Sequence, residues 1–452
     1  MSSGGVFTPG IPKVRPGVYI NFKATPEKPL ISENEGVAVI PFIAPTYGPL
    51  KQMIEVSAQN INRISEKIGV DISDDSKNVS LVREALKGCS KVLVYLCGTG
   101  GTAATVTSGS IVGTAKYAGT GGNKFKFSLV SNALGGFDVT VYVDGAIKSV
   151  YKKVTTVDEL TSIDDPYIVF TTTGDDPALA AVAGATLTGG VNPTSANTDF
   201  ADFLAALDYT AFDSVLCPFA ATNDNASTIQ AFVSKIHYLN DNIGKYIFGV
   251  VVDTASDYEC IVNVCNAPMI EGKNITKEEA AAFVAGLCAG TNELTSNTGK
   301  EYPGATGFNT SNLLDAPSIE TALSEGKFVF TLSDDNKVVV ESDINSLTTV
   351  TSDKRNSFKR NKVMRVLHSL ARTIKTTFRP GSYDDDEDSY KRMEGIGASI
   401  LSNYQDRKAI KNVSEGDFVI DRNLSNEEAL YVTIAVQPVN SIEKFYFTVV
   451  VN

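Results

Sequence analysis

The feature that most constrains this chain is an abrupt change of texture at Gly98 that reverses near Gly190. Before Gly98 the sequence alternates strand and helix patterns: Val37–Ile43 and Lys91–Leu96 read as buried strands, Ser57–Ile68 and Ser80–Lys87 as helices. From Thr99 to about Gly190 it is rich in Gly, Thr and Val, with short runs at Lys124–Val130, Phe137–Val143, Ile147–Val154 and Tyr167–Thr172. Gly121-Gly122-Asn123, Gly135-Gly136 and Asp144-Gly145 supply turns between them, the pattern of a β-sandwich or small barrel. The α/β pattern then resumes with helices at Asp199–Leu207 and Ala226–Asn240 and strands at Ser214–Phe219 and Tyr246–Val252. Thr276 and Glu279 form a capping box, and Lys327–Leu332 with Val338–Glu341 reads as a hairpin. An α/β pattern that stops and restarts predicts an inserted domain.

The last hundred or so residues form a further unit. Phe358–Phe378 predicts a long amphipathic helix with Val363, Val366, Leu367, Leu370, Ile374 and Phe378 on one side. A helix over about Ser389–Asn403 follows, then strands at Tyr431–Val436 and Ile442–Val451. At the other end, prolines at positions 9, 12, 16, 26 and 29 surround one short strand, Gly17–Phe22, so the first residues read as an extended arm. The expected fold is an α/β core, mostly parallel with helices on both faces, carrying an inserted all-β sandwich, an α+β C-terminal domain and extended terminal arms. Its parts are an N-terminal arm over residues 1–35, core segments over 36–98 and 191–345, the insertion over 99–190, a C-terminal helical region over 346–430 and C-terminal strands over 431–452.

Composition narrows the function. Acidic residues exceed basic ones, 52 against 40, for a net charge of −12, which argues against a general nucleic-acid binder. No apolar run approaches the roughly 18 residues of a membrane span, and Gly36–Pro45 and Tyr246–Val252 are far too short. The opening residues lack a secretion-signal pattern, so cytoplasmic synthesis is expected. The chain has 6 cysteines and 2 histidines. Cys89 and Cys97 flank a strand, Cys217 ends another, and Cys260, Cys265 and Cys288 fall on apolar stretches read as helical; buried reduced thiols are expected. His237 and His368 lie in amphipathic helical patterns, and nothing designates a serine partner for His237.

Val92–Cys97 running into Gly98-Thr99-Gly100-Gly101-Thr102-Ala103 resembles a dinucleotide fingerprint. The mechanism needs a helix after the glycines and an acid about twenty residues on. Here the following segment is β-like and no Asp or Glu occurs between Thr99 and Asp138, so a flexible joint into the insertion is expected. Asp384–Asp388 lacks the spacing of a calcium loop and reads as a solvated acidic loop. No cofactor or metal site is expected.

Two features point to protein contacts instead. Between Lys354 and Arg379 every charged residue is Lys or Arg, and a one-sign stripe (Lys359, Lys362, Arg365, Arg372) opposite an apolar one suggests docking on an acidic partner. Both ends also carry strand patterns, and the run Phe445–Val451 would template aggregation unless covered. Strand exchange between copies satisfies such ends.

With these parts in this order, the chain resembles the tail sheath family of contractile phage tails and related bacteriocins. Arg15-Pro16-Gly17-Val18-Tyr19-Ile20 is similar to the family's N-terminal arm, and Gly36–Pro49 to its first core strand and following loop. The β insertion stands where many sheaths carry a sandwich, and Asp213–Pro218 resembles a core strand. Tyr431–Pro438 with Ser441–Phe445 is similar to the C-terminal strand pair; Ala281–Gly304 departs from the family pattern. The resemblance implies a non-enzymatic subunit stacking in six-fold rings around an inner tube and contracting from a metastable extended state. It implies linking roles for Val18, Tyr19, Ile20 and Phe22 and for Phe445, Phe447, Val449 and Val451, with Lys359, Lys362, Arg365 and Arg372 facing the tube. Implied partners are other copies, the tube protein, and baseplate and terminator proteins, in a tail particle assembled in a bacterial cytoplasm, without nucleic acid or membrane insertion. Two readings compete: an α/β nucleotide-binding or hydrolytic enzyme with its site near Gly98–Gly101, and a glycan-binding role for the insertion, which lacks tryptophan for stacking on sugars.

Overall fold

Val37–Ile43 is apolar at every position, so both of its faces need cover, and it lies inside a sheet rather than at an edge. The structure is a computed structural model describing residues 4–5, 18–19, 36–57, 64–69, 76–194, 197–425 and 429–450. The chain divides into two units, Met1–Asn34 and Glu35–Asn452. In the first, Gly4–Gly5 pairs in parallel with Val18–Tyr19; Ile20 and Phe22 lie outside the described residues.

The second unit begins with β1 (Val37–Ile43), β2 (Met53–Ser57), α1 (Ile64–Ile68), α2 (Lys77–Leu86) and β3 (Lys91–Cys97). The insertion contributes β4 (Thr105–Ser108), β5 (Ile111–Ala115), β6 (Phe125–Ser131), β7 (Phe137–Val143), β8 (Ala146–Val154), α3 (Val157–Thr161), β9 (Ile168–Thr172) and β10 (Val182–Thr186). The core resumes with α4 (Asn197–Ala206), β11 (Ser214–Leu216), α5 (Ala226–His237), β12 (Phe248–Val252) and β13 (Ile261–Val264). It continues through α6 (Lys277–Gly290), α7 (Ala316–Ser324), β14 (Lys327–Phe328), β15 (Phe330–Leu332) and β16 (Val338–Val340). The C-terminal part holds α8 (Asn361–Thr377), α9 (Glu387–Asp406), β17 (Phe418–Ile420) and β18 (Val432–Ile434).

Seven strands form one sheet in the order β14-β13-β12-β11-β1-β3-β2. Every pair is parallel except β2 with β3. Register places helices on both faces. Ser214 of β11 turns to α6, its hydroxyl donating to Ala285 O at 2.6 Å. In the next row Val215 aligns with Gly249, which abuts Ile236 and Phe232 of α5. Successive side chains point to opposite faces, so α5 and α6 cover opposite sides.

Helix α6 is buried almost all round, from Ala280 to Ala289. Thr276 and Glu279 cap it reciprocally, as the sequence predicts. It seats backbone to backbone against α2: a Cβ on Gly286 would stand 2.1 Å from Ala85 O. Small residues here are a geometric requirement.

In the insertion a four-stranded sheet, β8-β7-β6-β10, faces a three-stranded one, β9-β5-β4. Phe127 and Phe170 meet edge to face across the gap, with centroids 5.3 Å apart. The joint expected to be flexible is a paired neck. Thr99 and Thr194 exchange backbone hydrogen bonds of 2.8 and 3.1 Å, and Thr102 and Val191 exchange two of 3.0 Å. Tyr47, from the loop after β1, plugs the sandwich core at 1% exposure, against Tyr117 and Phe125. Paired strands and a buried aromatic replace the freedom that the glycines suggested.

Other departures are local. Ile261–Val264, read as helical, is a fully buried strand between Cys260 and Cys265; so short an apolar run fits either period. All six cysteines are free thiols. The expected hairpin is shorter, β15 with β16, because Lys327–Phe328 joins the main sheet. Ile442–Val450 forms no strand; Val451 lies outside the described residues.

Gly286→Val, which drives a side chain into the α2 backbone, is expected to destabilise the chain by roughly 3 kcal/mol or more in denaturant unfolding. Gly395→Ala on α9, where a Cβ meets nothing within 4 Å, is expected to stabilise it by about 0.5–1 kcal/mol.

Candidate assembly site

Helix α8 is amphipathic, and its apolar side, including Val363, Val366 and Leu370, is buried. Its basic side also turns inward to this chain's own acids. Arg365, with its side chain 5% exposed, donates from Nη2 to Asp343 Oδ2 at 2.6 Å and to Thr295 O at 2.7 Å. Arg372 pairs with Asp213 at 2.7 Å, Arg360 with Glu443 at 2.5 Å and Lys354 with Glu259 at 2.7 Å. Lys359 Nζ donates to Thr348 O at 3.0 Å and Lys362 Nζ to Ser441 Oγ at 3.2 Å.

The expected exposed stripe is therefore corrected at Arg365. A charge this deeply buried requires a partner within hydrogen-bond reach, and Asp343 supplies it. Burial opposes ionisation of Asp343, but Arg365, the Asn297 N–H and Asn361 Nδ2 hold its carboxyl below the usual range. Beneath them His368 packs its ring beside Phe248, with Nε2 3.4 Å from Cys260 Sγ. Burial first, then Arg372 and Arg365, pushes the His368 pKa down to about 3, so it is neutral near pH 7.

This network continues to the chain's end. Glu443, 14% exposed, accepts from Thr298 Oγ1 at 2.9 Å, Ser342 Oγ at 3.3 Å and Arg360 Nη1 at 2.5 Å. Immediately beyond it the side chains face solvent. Phe445 is 67% exposed and Phe447 84%, with Tyr446, Val449 and Val450 similarly open. The rings of Phe445 and Phe447 lie parallel with centroids 6.3 Å apart, as alternate residues on one side of an extended segment do. Of the expected linking residues, Phe445, Phe447 and Val449 thus share an exposed segment, whereas Val18 and Tyr19 belong to the separate N-terminal unit. Sequence reasoning missed Glu443 and Asp343; the available signal was an acid beside an apolar terminal run, without indication of its partners.

An open α/β sheet binds ligands where strand order reverses, at the carboxyl ends of its strands. Here that point lies between β1 and β11, beside a cavity of about 520 Å³ lined by Ile43–Tyr47, Pro218 and Phe219. Tyr47 and the Thr120–Lys124 turn of the sandwich also line it. Asn78 is engaged with the Ile43 backbone. Among the described residues no group of three or more His, Cys, Asp or Glu is placed to hold a metal ion, and no helix is long and apolar enough to cross a membrane.

Three family models match: the phage tail sheath protein β-sandwich domain over residues 99–192, the central domain over 194–346 and the C-terminal domain over 353–452. The phage-like element PBSX protein XkdK of Bacillus subtilis is 35% identical over 481 residues, covering all of both chains. The sheath tail protein of Desulfitobacterium hafniense superimposes with a TM-score of 0.79 at 31% identity, covering 95% of this chain and 99% of that one. The helical sheath of the anti-feeding prophage in its contracted state has the same fold, with a TM-score of 0.53 at 11% identity over 97% of this chain and 99% of that one.

Arg365→Ala leaves Asp343 buried without its cation and is expected to cost about 3–5 kcal/mol, against under about 0.5 for Lys375→Ala at the surface. Unfolding frees His368 to take a proton below about pH 6.5, whereas the folded chain refuses it down to about pH 3. Stability is therefore expected to fall on acidification across that window. In His368→Gln the slope, followed by urea unfolding at several pH values, should be shallower by up to about 1.4 kcal/mol per pH unit.

Proposed function

Because the chain belongs to the phage tail sheath family, we propose that it is the repeating subunit of a contractile sheath, built as stacked six-fold rings around an inner tube. The observation that carries the reading is the bare apolar segment Phe445–Val450, beside two apolar clusters that are interior among the described residues. Full burial of its Phe445, Phe447, Val449 and Val450 side chains is worth about 6–12 kcal/mol as an upper bound. Ordering a free segment on a partner costs about 2–5 kcal/mol, and burial on another copy is the term that offsets it.

The linking role extends to Val451 and, at the other end, to Val18, Tyr19, Ile20 and Phe22. In the extended state Lys359, Lys362 and Arg372 face the tube; Arg365, being interior, does not. The sandwich lies on the outside, clear of ring contacts. The work of contraction comes from a free-energy difference between two lattices of the same subunits. The contracted state of the anti-feeding prophage sheath supports this reading at the level of fold. Baseplate and terminator proteins bound the stack, and assembly takes place in the host cytoplasm before the tail particle is released.

Electron microscopy of the purified full chain is expected to show tubes or stacked rings. Deleting Phe445–Asn452 should leave a soluble subunit with a melting temperature within a few degrees of the parent and no tubes. Monodisperse single subunits from the full chain at high concentration would overturn the proposal.

A further inference from the structure

The exposed segment does not leave the body at an arbitrary place. Its last half-buried carboxylate, Glu443, is held by three groups from three separate elements: Thr298 from the loop after α6, Ser342 from the strap after β16, and Arg360 at the start of α8. These groups are also tied to one another. Arg360 Nη1 donates to Ser342 Oγ at 2.7 Å, and the Thr298 hydroxyl accepts from Asp343 N at 2.9 Å. Two residues earlier Lys362 reaches Ser441. One residue later, from Lys444 to Val450, no side chain makes a described hydrogen bond or ion pair, and the large apolar ones are open to solvent.

We propose that Glu443 is the fixed root of the C-terminal segment. Its carboxylate, bridging Thr298, Ser342 and Arg360, sets the direction in which Phe445–Val450 leaves the body and passes tension from that segment into α8. The proposal rests on the sheath reading above but concerns a different step: pairing of the segment supplies affinity, whereas the root supplies geometry. A strand that joins another subunit from an unanchored stem pairs in many orientations, and a regular lattice needs one. A charge-assisted bond to a guanidinium is directional enough to impose it. Because Arg360 opens α8 and Arg365, one turn on, holds Asp343, a pull on Glu443 acts on the same helix that closes the core. Glu443 is thus a positioning residue and touches no partner itself.

The test uses the full chain and four variants: Glu443→Ala, Arg360→Ala, Glu443→Gln and the charge swap Glu443→Arg with Arg360→Glu. Melting temperature reads the fold, and electron microscopy reads the amount and order of tubes. Either alanine variant is expected to keep the parent melting temperature within a few degrees while ordered tubes fall at least about tenfold, as loss of one partner of a part-buried charge pair implies. Short or irregular aggregates should replace them, because the sticky segment is intact. Glu443→Gln, which keeps shape and hydrogen bonds, is expected to fall between parent and alanine, and the swap to recover part of the loss. Should the parent form tubes and Glu443→Ala form them equally long and regular, the root is refuted while the sheath reading stands. Should the parent form no tubes, the sheath reading itself fails. If an alanine variant melts far below the parent, Glu443→Gln and the swap decide: tubes unchanged in Gln and absent in the swap refute a directional ion pair.

Discussion

The ion pair between Arg365 and Asp343 is the interaction on which the C-terminal half depends. It joins α8 to the strap after β16 in a place from which water is excluded. Around it Asn361 and the Asn297 backbone complete the carboxylate's bonds, and Thr298 carries the network on to Glu443. Removing one partner of a buried pair of this kind is costly, because the other charge is left in the interior without compensation.

Much of the fold was legible because it follows local rules. Phe137–Val143 alternates apolar and polar residues between glycine turns, and the strand has those limits. Thr276 and Glu279 mark the start of α6 by chemistry, and the cap forms as read. What escaped were features whose cause lies far along the chain. The acids that pair with Arg360 and Arg372 are 83 and 159 positions away, so the sequence shows a one-sign helix without showing which of the chain's own acids meet it. Tyr47 belongs by sequence to a core loop and by burial to the sandwich. Ile261–Val264 is too short for periodicity to separate strand from helix.

The interior of the second unit is finished: its sheet is covered by helices on both faces, its inserted domain is clamped by a paired neck, and its thiols are free. Among the described residues a run of large apolar side chains near the C-terminus, Phe445, Tyr446, Phe447, Val449 and Val450, departs from this economy of burial. A rigid body with one bare, rooted apolar segment is suited to a lattice, where each subunit has to hold its neighbours while its own shape is preserved. Storing work in the arrangement of such bodies requires stiff subunits joined by links that survive rearrangement. On the proposed sheath reading, the deep network around Asp343 and the open segment beyond Glu443 meet those two needs separately.

The most direct measurement is amide hydrogen exchange over residues 445–450, compared between dispersed subunits and assembled tubes. The expected result is rapid exchange in the dispersed chain and strong, alternating protection in the tubes, as a strand completing a neighbour's sheet requires. Equally rapid exchange in both states would contradict the claim that another copy covers this segment.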